Sequence, residues 1–154
     1  MSATVSPEVI ERIEGHSKLI DFFGLWPSFH DSEIVSMSFN RDEGEDLMDP
    51  LLTTVTHLFN LRLAQDHPDQ RHSLTTFQFH DVQSLLLRDF NHQNAINDLV
   101  ISTRYSLELK QERFDVDFIA GFGMGCRFDC ARIEVSSVIP FKPRFGAYAR
   151  GARS

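Results

Sequence analysis

The sequence predicts an α+β fold: an N-terminal helix packed on a mostly antiparallel β-sheet that is either open or strongly curled. Residues 7–23 repeat apolar side chains at intervals near three and four, the period of a helix, whereas most of the later chain alternates apolar and polar residues, the period of a strand. No helical pattern separates the later strands, which argues against βαβ units. A chain of 154 residues is long enough for one core that buries about two thirds of the unfolded surface. The expected organisation is a single domain over residues 1–143 followed by a loose basic tail, 144–154.

The helical stretch has a start and a stop. Ser6 is an N-cap residue with Pro7 at the first helical position, Val9, Ile10, Ile13, Leu19, Ile20 and Phe23 form the apolar stripe, and Gly24 ends it. Gly15 lies inside the run, where it can divide the stretch into two short helices. Next comes Trp26-Pro27-Ser28-Phe29-His30-Asp31-Ser32-Glu33-Ile34, which holds the only Trp. Pro27 forces Trp26 out of the α region, so the chain turns a corner here from helix into sheet.

Strands are expected at residues 33–40, 53–63, 74–79, 82–87, 99–109, 114–120 and 126–139, from alternations such as Phe114, Val116 and Phe118. The first two should pair. The polar run 89–98, rich in Asn and His, should be an ordered turn whose side chains complete backbone hydrogen bonds. Residues 111–113 and 121–125 are expected turns. The three glycines of the second lack the Lys-Ser/Thr of a phosphate loop, so they point to a hairpin.

The segment from residue 25 to 35 resembles the signature of the immunity protein 50 family, bacterial proteins associated with neutralising polymorphic toxins. The Asn-rich stretch adds a second, weaker similarity. The resemblance implies a binding protein that occludes a cognate toxin encoded beside it. Trp26, Pro27, Phe29, His30 and Asp31 would then be motif residues whose work is to build the fold.

Charge adds to this reading. All 22 acidic residues fall at or before Glu134, together with 11 of the 15 basic ones, so residues 1–134 carry 11 minus 22, or −11. An acidic body repels nucleic acid and speeds encounter with a basic partner. Moderate negative charge also simply keeps a protein soluble. The densest acidic patch is the loop holding Asp42, Glu43, Glu45, Asp46 and Asp49, the candidate partner-binding residues; the expected partner is a basic toxin protein.

An enzyme or metal-binding protein is the alternative. His30-Asp31 with Glu33, and His80-Asp81, both fall at strand ends, and if they met in space they would suit a divalent metal and a hydrolytic water. No Ser-centred nucleophile elbow, zinc-protease helix or phosphate cradle occurs in the sequence. No catalytic residue, metal ligand or cofactor is therefore assigned. Cys126 and Cys130 are too few for a disulfide framework or a zinc site and read as buried, reduced side chains. No apolar run reaches the roughly 18 residues of a membrane span, and the first residues lack a signal-peptide pattern, so the expectation is a cytoplasmic protein without a membrane partner. Oligomeric state is not encoded in any of these patterns.

Overall fold

The computed structural model describes residues 5–41, 50–59 and 72–141. Two helices, α1 (Pro7–Arg12) and α2 (His16–Phe23), precede eight strands. These are β1 (Glu33–Asn40), β2 (Leu51–Phe59), β3 (His72–His80), β4 (Gln83–Arg88), β5 (Ala95–Ser106), β6 (Gln111–Phe122), β7 (Gly125–Cys130) and β8 (Arg132–Pro140). They form one antiparallel sheet in the order β4-β7-β6-β5-β1-β2-β3-β8.

This overturns the α+β expectation of an N-terminal helix packed on a sheet: the protein is mostly β. The helical stripe is real but discontinuous. Ser6 Oγ accepts the Val9 N–H and starts α1, yet α1 ends after six residues and buries only Val9. Residues 13–15 then leave the helix. The Glu14 N–H donates to the Ile133 carbonyl and the Val135 N–H donates to the Glu14 carbonyl, so Glu14 acts as a one-residue strand beside β8. Gly15 makes this approach possible: it sits at φ 74, and a β-carbon there would fall 2.3 Å from the Val135 carbonyl oxygen. Helix α2 follows for eight residues, buries Leu19 and Phe23, and stops at Gly24 in the left-handed region.

The strands also differ in detail from their expected limits. The predicted run 126–139 is two strands, because Ala131 takes the chain from β7, near one end of the sheet, to β8 at the other. The turn expected at 111–113 lies earlier, at residues 107–110, and β6 begins at Gln111. β1 pairs with β2, from Glu33 opposite His57 to Asn40 opposite Leu51. The turn before β5 is closed by its amides: the Asn91 N–H donates to Asn94 Oδ1, Asn94 Nδ2 to the Asn91 carbonyl, and the Gln93 N–H to Asn91 Oδ1.

The sheet folds over on itself. Phe79 of β3 packs edge-to-face on Phe118 of β6 at 6.1 Å and on Phe128 of β7 at 4.9 Å, although β3 is far from both in strand order. These rings, with Phe77, Val116, Ile133 and Val135, form the core. Among the described residues β1 and β5 are in ladder register only at Glu33 and Ala95. The N-terminal segment spans the opening between the sheet's halves, with Val5 bridged to Ile101 of β5 and Glu14 bridged to Glu134 of β8.

Candidate functional site

The corner motif joins the helices to the sheet. The Trp26 ring lies tilted 5.9 Å from Phe29 and edge-on 6.4 Å from Phe77 of β3, and Phe29 lies 6.0 Å from Phe77. Pro27 and Phe29 are buried. Asp31 takes φ 65, which turns its backbone N–H onto the Ile96 carbonyl. The His30 side chain is 60% exposed, with Nδ1 2.9 Å from the Asn97 carbonyl and Nε2 3.5 Å from Asp31 Oδ2.

The second His-Asp pair stands elsewhere. His80 Nε2 is 3.5 Å from Glu134 of β8, and Asp81 accepts from Arg113 of β6 at 2.9 Å. His30 and Asp31 adjoin β5 at Ile96 and Asn97, whereas Arg113 lies opposite Arg104, eight residues along β5 from Ile96. Eight strand residues span about 26 Å. The two pairs therefore do not meet, which removes the shared metal or hydrolytic site they would have needed. Among the described residues no three His, Cys, Asp or Glu side chains are grouped to hold a metal. Cys126 and Cys130 both face the core, where burial pushes each thiol up to about 12.

Asp42, Glu43, Glu45, Asp46 and Asp49 lie outside the described residues, as does the tail 144–154. The strand register pairs Asn40 with Leu51 on either side of that acidic segment.

What the sequence did not single out is a groove on the outer face of β4, β7, β6 and β5. Inward Phe114, Val116 and Phe118 leave Asp115 and Asp117 outward on β6, and inward Cys126 and Phe128 leave Arg127 and Asp129 outward on β7. Antiparallel register sets Asp115 opposite Asp129 and Asp117 opposite Arg127, with Leu86 of β4 beyond Arg127 and Val100 and Ser102 of β5 on the other side. The groove these residues line has a volume of about 580 Å³. A cleft of about 290 Å³ adjoins it, lined by Arg88, Ile119 and Gly125 and sharing Leu86, Asp117 and Arg127.

At one end of the groove each guanidinium has carboxylate partners. Arg113 is 0% exposed at its side chain and donates from Nε to Asp129 Oδ2 at 2.6 Å, from Nη1 to Asp81 Oδ2 at 2.9 Å and Gln111 Oε1 at 2.7 Å, and from Nη2 to the Asp81 carbonyl at 2.6 Å. Burial by itself would lower the Arg113 pKa, but its hydrogen bonds to Asp129 and Asp81, with the charge of those carboxylates, outweigh it and hold the guanidinium above its ordinary value. Arg104 chelates Asp115 through Nε at 3.0 and 2.9 Å. At the other end Arg88, Arg127 and Asp117 form no ion pair or hydrogen bond of their side chains among the described residues.

The groove thus carries charged groups of both signs beside Leu86 and Val100. A family model described as Immunity protein 50 matches residues 15–141. The chain belongs to the immunity protein 50 family. No curated protein and no solved structure matches it. The part shared with the immunity protein 50 model runs from Gly15, at the close approach to β8, through the corner motif and all eight strands. It leaves α1 outside. The alternation that places Asp115 and Asp117 outward was present in the sequence; the pairing that sets them beside Arg104, Arg127 and Asp129 was not, because strand order joins residues that no local pattern connects.

Proposed function

We propose that this protein binds a cognate bacterial toxin in the cytoplasm and neutralises it by occlusion, catalysing nothing itself. The observation that carries this reading is the immunity protein 50 match over residues 15–141. The groove beside β4 supports it, since a rigid antiparallel platform can hold a partner without large rearrangement. Lasting protection calls for nanomolar or tighter affinity, about 12 kcal/mol.

Co-expression with the toxin domain encoded next to this gene tests the proposal. Cells should survive, and the two purified proteins should form a stoichiometric complex in which the toxin is inactive. Survival without a complex, or turnover of the toxin by this protein, would overturn it.

The acidic segment is the proposed steering element, and a basic toxin the proposed partner. Replacing Asp42, Glu43, Glu45, Asp46 and Asp49 together by Lys should slow association by roughly tenfold or more at low salt, with the difference shrinking as salt rises. An unchanged rate at low salt would remove the segment from the mechanism.

A further inference from the structure

The two ends of the sheet are treated differently. At one end, the outer edge of β8 is covered by the chain itself, through the two backbone hydrogen bonds of Glu14 and the seating of Gly15 against Val135. At the other end β4 pairs with β7 alone among the described residues, and nothing comparable covers its far side. An open edge offers a row of backbone donors and acceptors to any extended chain, and folded proteins usually shield it.

The side chains of β4 sharpen the contrast. Leu87 lies opposite Cys126 and so shares the core-facing side of the sheet, yet it remains 44% exposed. Leu86, on the groove side opposite Arg127, is 47% exposed, and Phe90 just beyond the strand is 43% exposed. A further strand laid along β4 would cover Leu87 from one face and Leu86 from the other. Ser84, inside the strand at the break in its register with β7, and Asp89, just past its end, are left-handed, each at φ 57.

Charge states what that strand must carry. Arg88 lies over β7, its Nη2 3.5 Å from where a β-carbon on Gly125 would be, an ordinary contact distance. Arg88 and Arg127 line the same cleft and neither has a carboxylate partner among the described residues. Asp117, the single acid of that cleft, pairs with neither. Two guanidiniums lining one largely polar cleft are matched by a carboxylate.

We propose that β4 is the docking edge for an extended segment of the toxin, which adds to the sheet as a ninth strand and places an Asp or Glu side chain between Arg88 and Arg127. This rests on the immunity reading and adds to it the surface and the chemistry of capture. Backbone ladder bonds supply affinity in such strand addition, and the side-chain pockets supply specificity. The overall attraction to a basic toxin and this local demand for an acid act at different ranges, the first on encounter and the second on residence time.

The test uses the full chain and the toxin encoded beside it. Titration calorimetry of Arg88→Glu with Arg127→Glu should show affinity reduced by roughly 100-fold, mainly through faster dissociation. The melting temperature should fall only slightly: neither guanidinium makes an ion pair or hydrogen bond among the described residues, and Arg127→Glu costs only the like charge it sets opposite Asp117. Amide hydrogen exchange over residues 83–90 should slow at least tenfold when toxin is added, a readout that needs no variant. A tight complex with unchanged exchange at 83–90 and full affinity in the double variant would overturn the docking edge while leaving the immunity function standing. Absence of any complex would overturn both. Protection of 83–90 in the toxin-free protein that grows with its own concentration would assign the edge to a second copy and overturn the proposal. Protection that vanishes when residues 144–154 are removed would assign it to the chain's own tail and do the same.

Discussion

Arg113 ties three elements together from a fully enclosed position. Its guanidinium reaches the turn after β3 through Asp81, the start of its own strand through Gln111, and β7 through Asp129. Removing it would leave two carboxylates facing one another with Asp129 largely buried, and losing one partner of a buried pair costs about 3–5 kcal/mol. Arg113→Met is expected to lower the stability measured by urea unfolding by about that amount. Arg113→Lys should fall between, because an ammonium keeps the charge but cannot make the forked contacts. A second residue sets an acid limit. His57 Nε2 is 2.8 Å from His72 Nδ1, and burial first, then the charge of His72, lowers the His57 pKa from 6.5 to about 4. Its folded form is neutral, so between about pH 6.5 and pH 4 the unfolded chain binds more protons; stability from this group is fully present above that window and lost as pH falls through it. His57→Gln should flatten the fall in urea midpoint over this range. An equally steep fall in the variant would assign the pH dependence to other groups.

At the scale of elements, the N-terminal segment shows how one residue decides between helix and strand. Its apolar spacing was legible as helical, and Ser6 and Gly24 were legible as its ends; both helices exist where that pattern put them. The interruption is tertiary in origin, because Glu14 gives its backbone to β8 and only Gly15 fits against Val135. Gly15 and Gly24 both adopt positive φ, but a β-carbon at Gly24 would meet nothing within 4 Å. Gly24→Ala should therefore cost only the backbone preference, about 1 kcal/mol, whereas Gly15→Ala should cost distinctly more because a carbonyl must also move. Thermal unfolding of the two variants side by side checks the order. Equal losses would mean that the contact with β8 contributes little. The same reasoning explains the misplaced turn: Gln111, Glu112 and Arg113 are polar, but Arg113 is drawn into β6 by two carboxylates that lie 32 and 16 residues away in sequence.

For the whole molecule, alternation announced strands but could not say how they are ordered. The periods in residues 33–40 and 114–120 identified β1 and β6 well. Nothing local reveals that Ala131 carries the chain from one half of the sheet to the other, or that the first turn of backbone closes on the last strand. The candidate site was hidden for the same reason. Arg88, Arg127 and Asp117 are unremarkable singly, and become a surface only once β4 returns to lie beside β7. The corner motif was the opposite case, since Trp26, Pro27 and Phe29 are contiguous and their ring contacts reach one further strand.

The clasp between Glu14 and β8 also bears on timing. Glu14 accepts from Arg132 Nε across 118 sequence positions, so the ends of the folded region must find each other late. As a nascent chain leaves the ribosome, its earliest helices are already outside while the strand that anchors them is still unmade. Closure waits for nearly complete synthesis, and long-range pairings of this kind place folding toward the millisecond-to-second end of the scale. Under the proposed neutralising role, a toxin made at the same moment would meet only molecules finished beforehand.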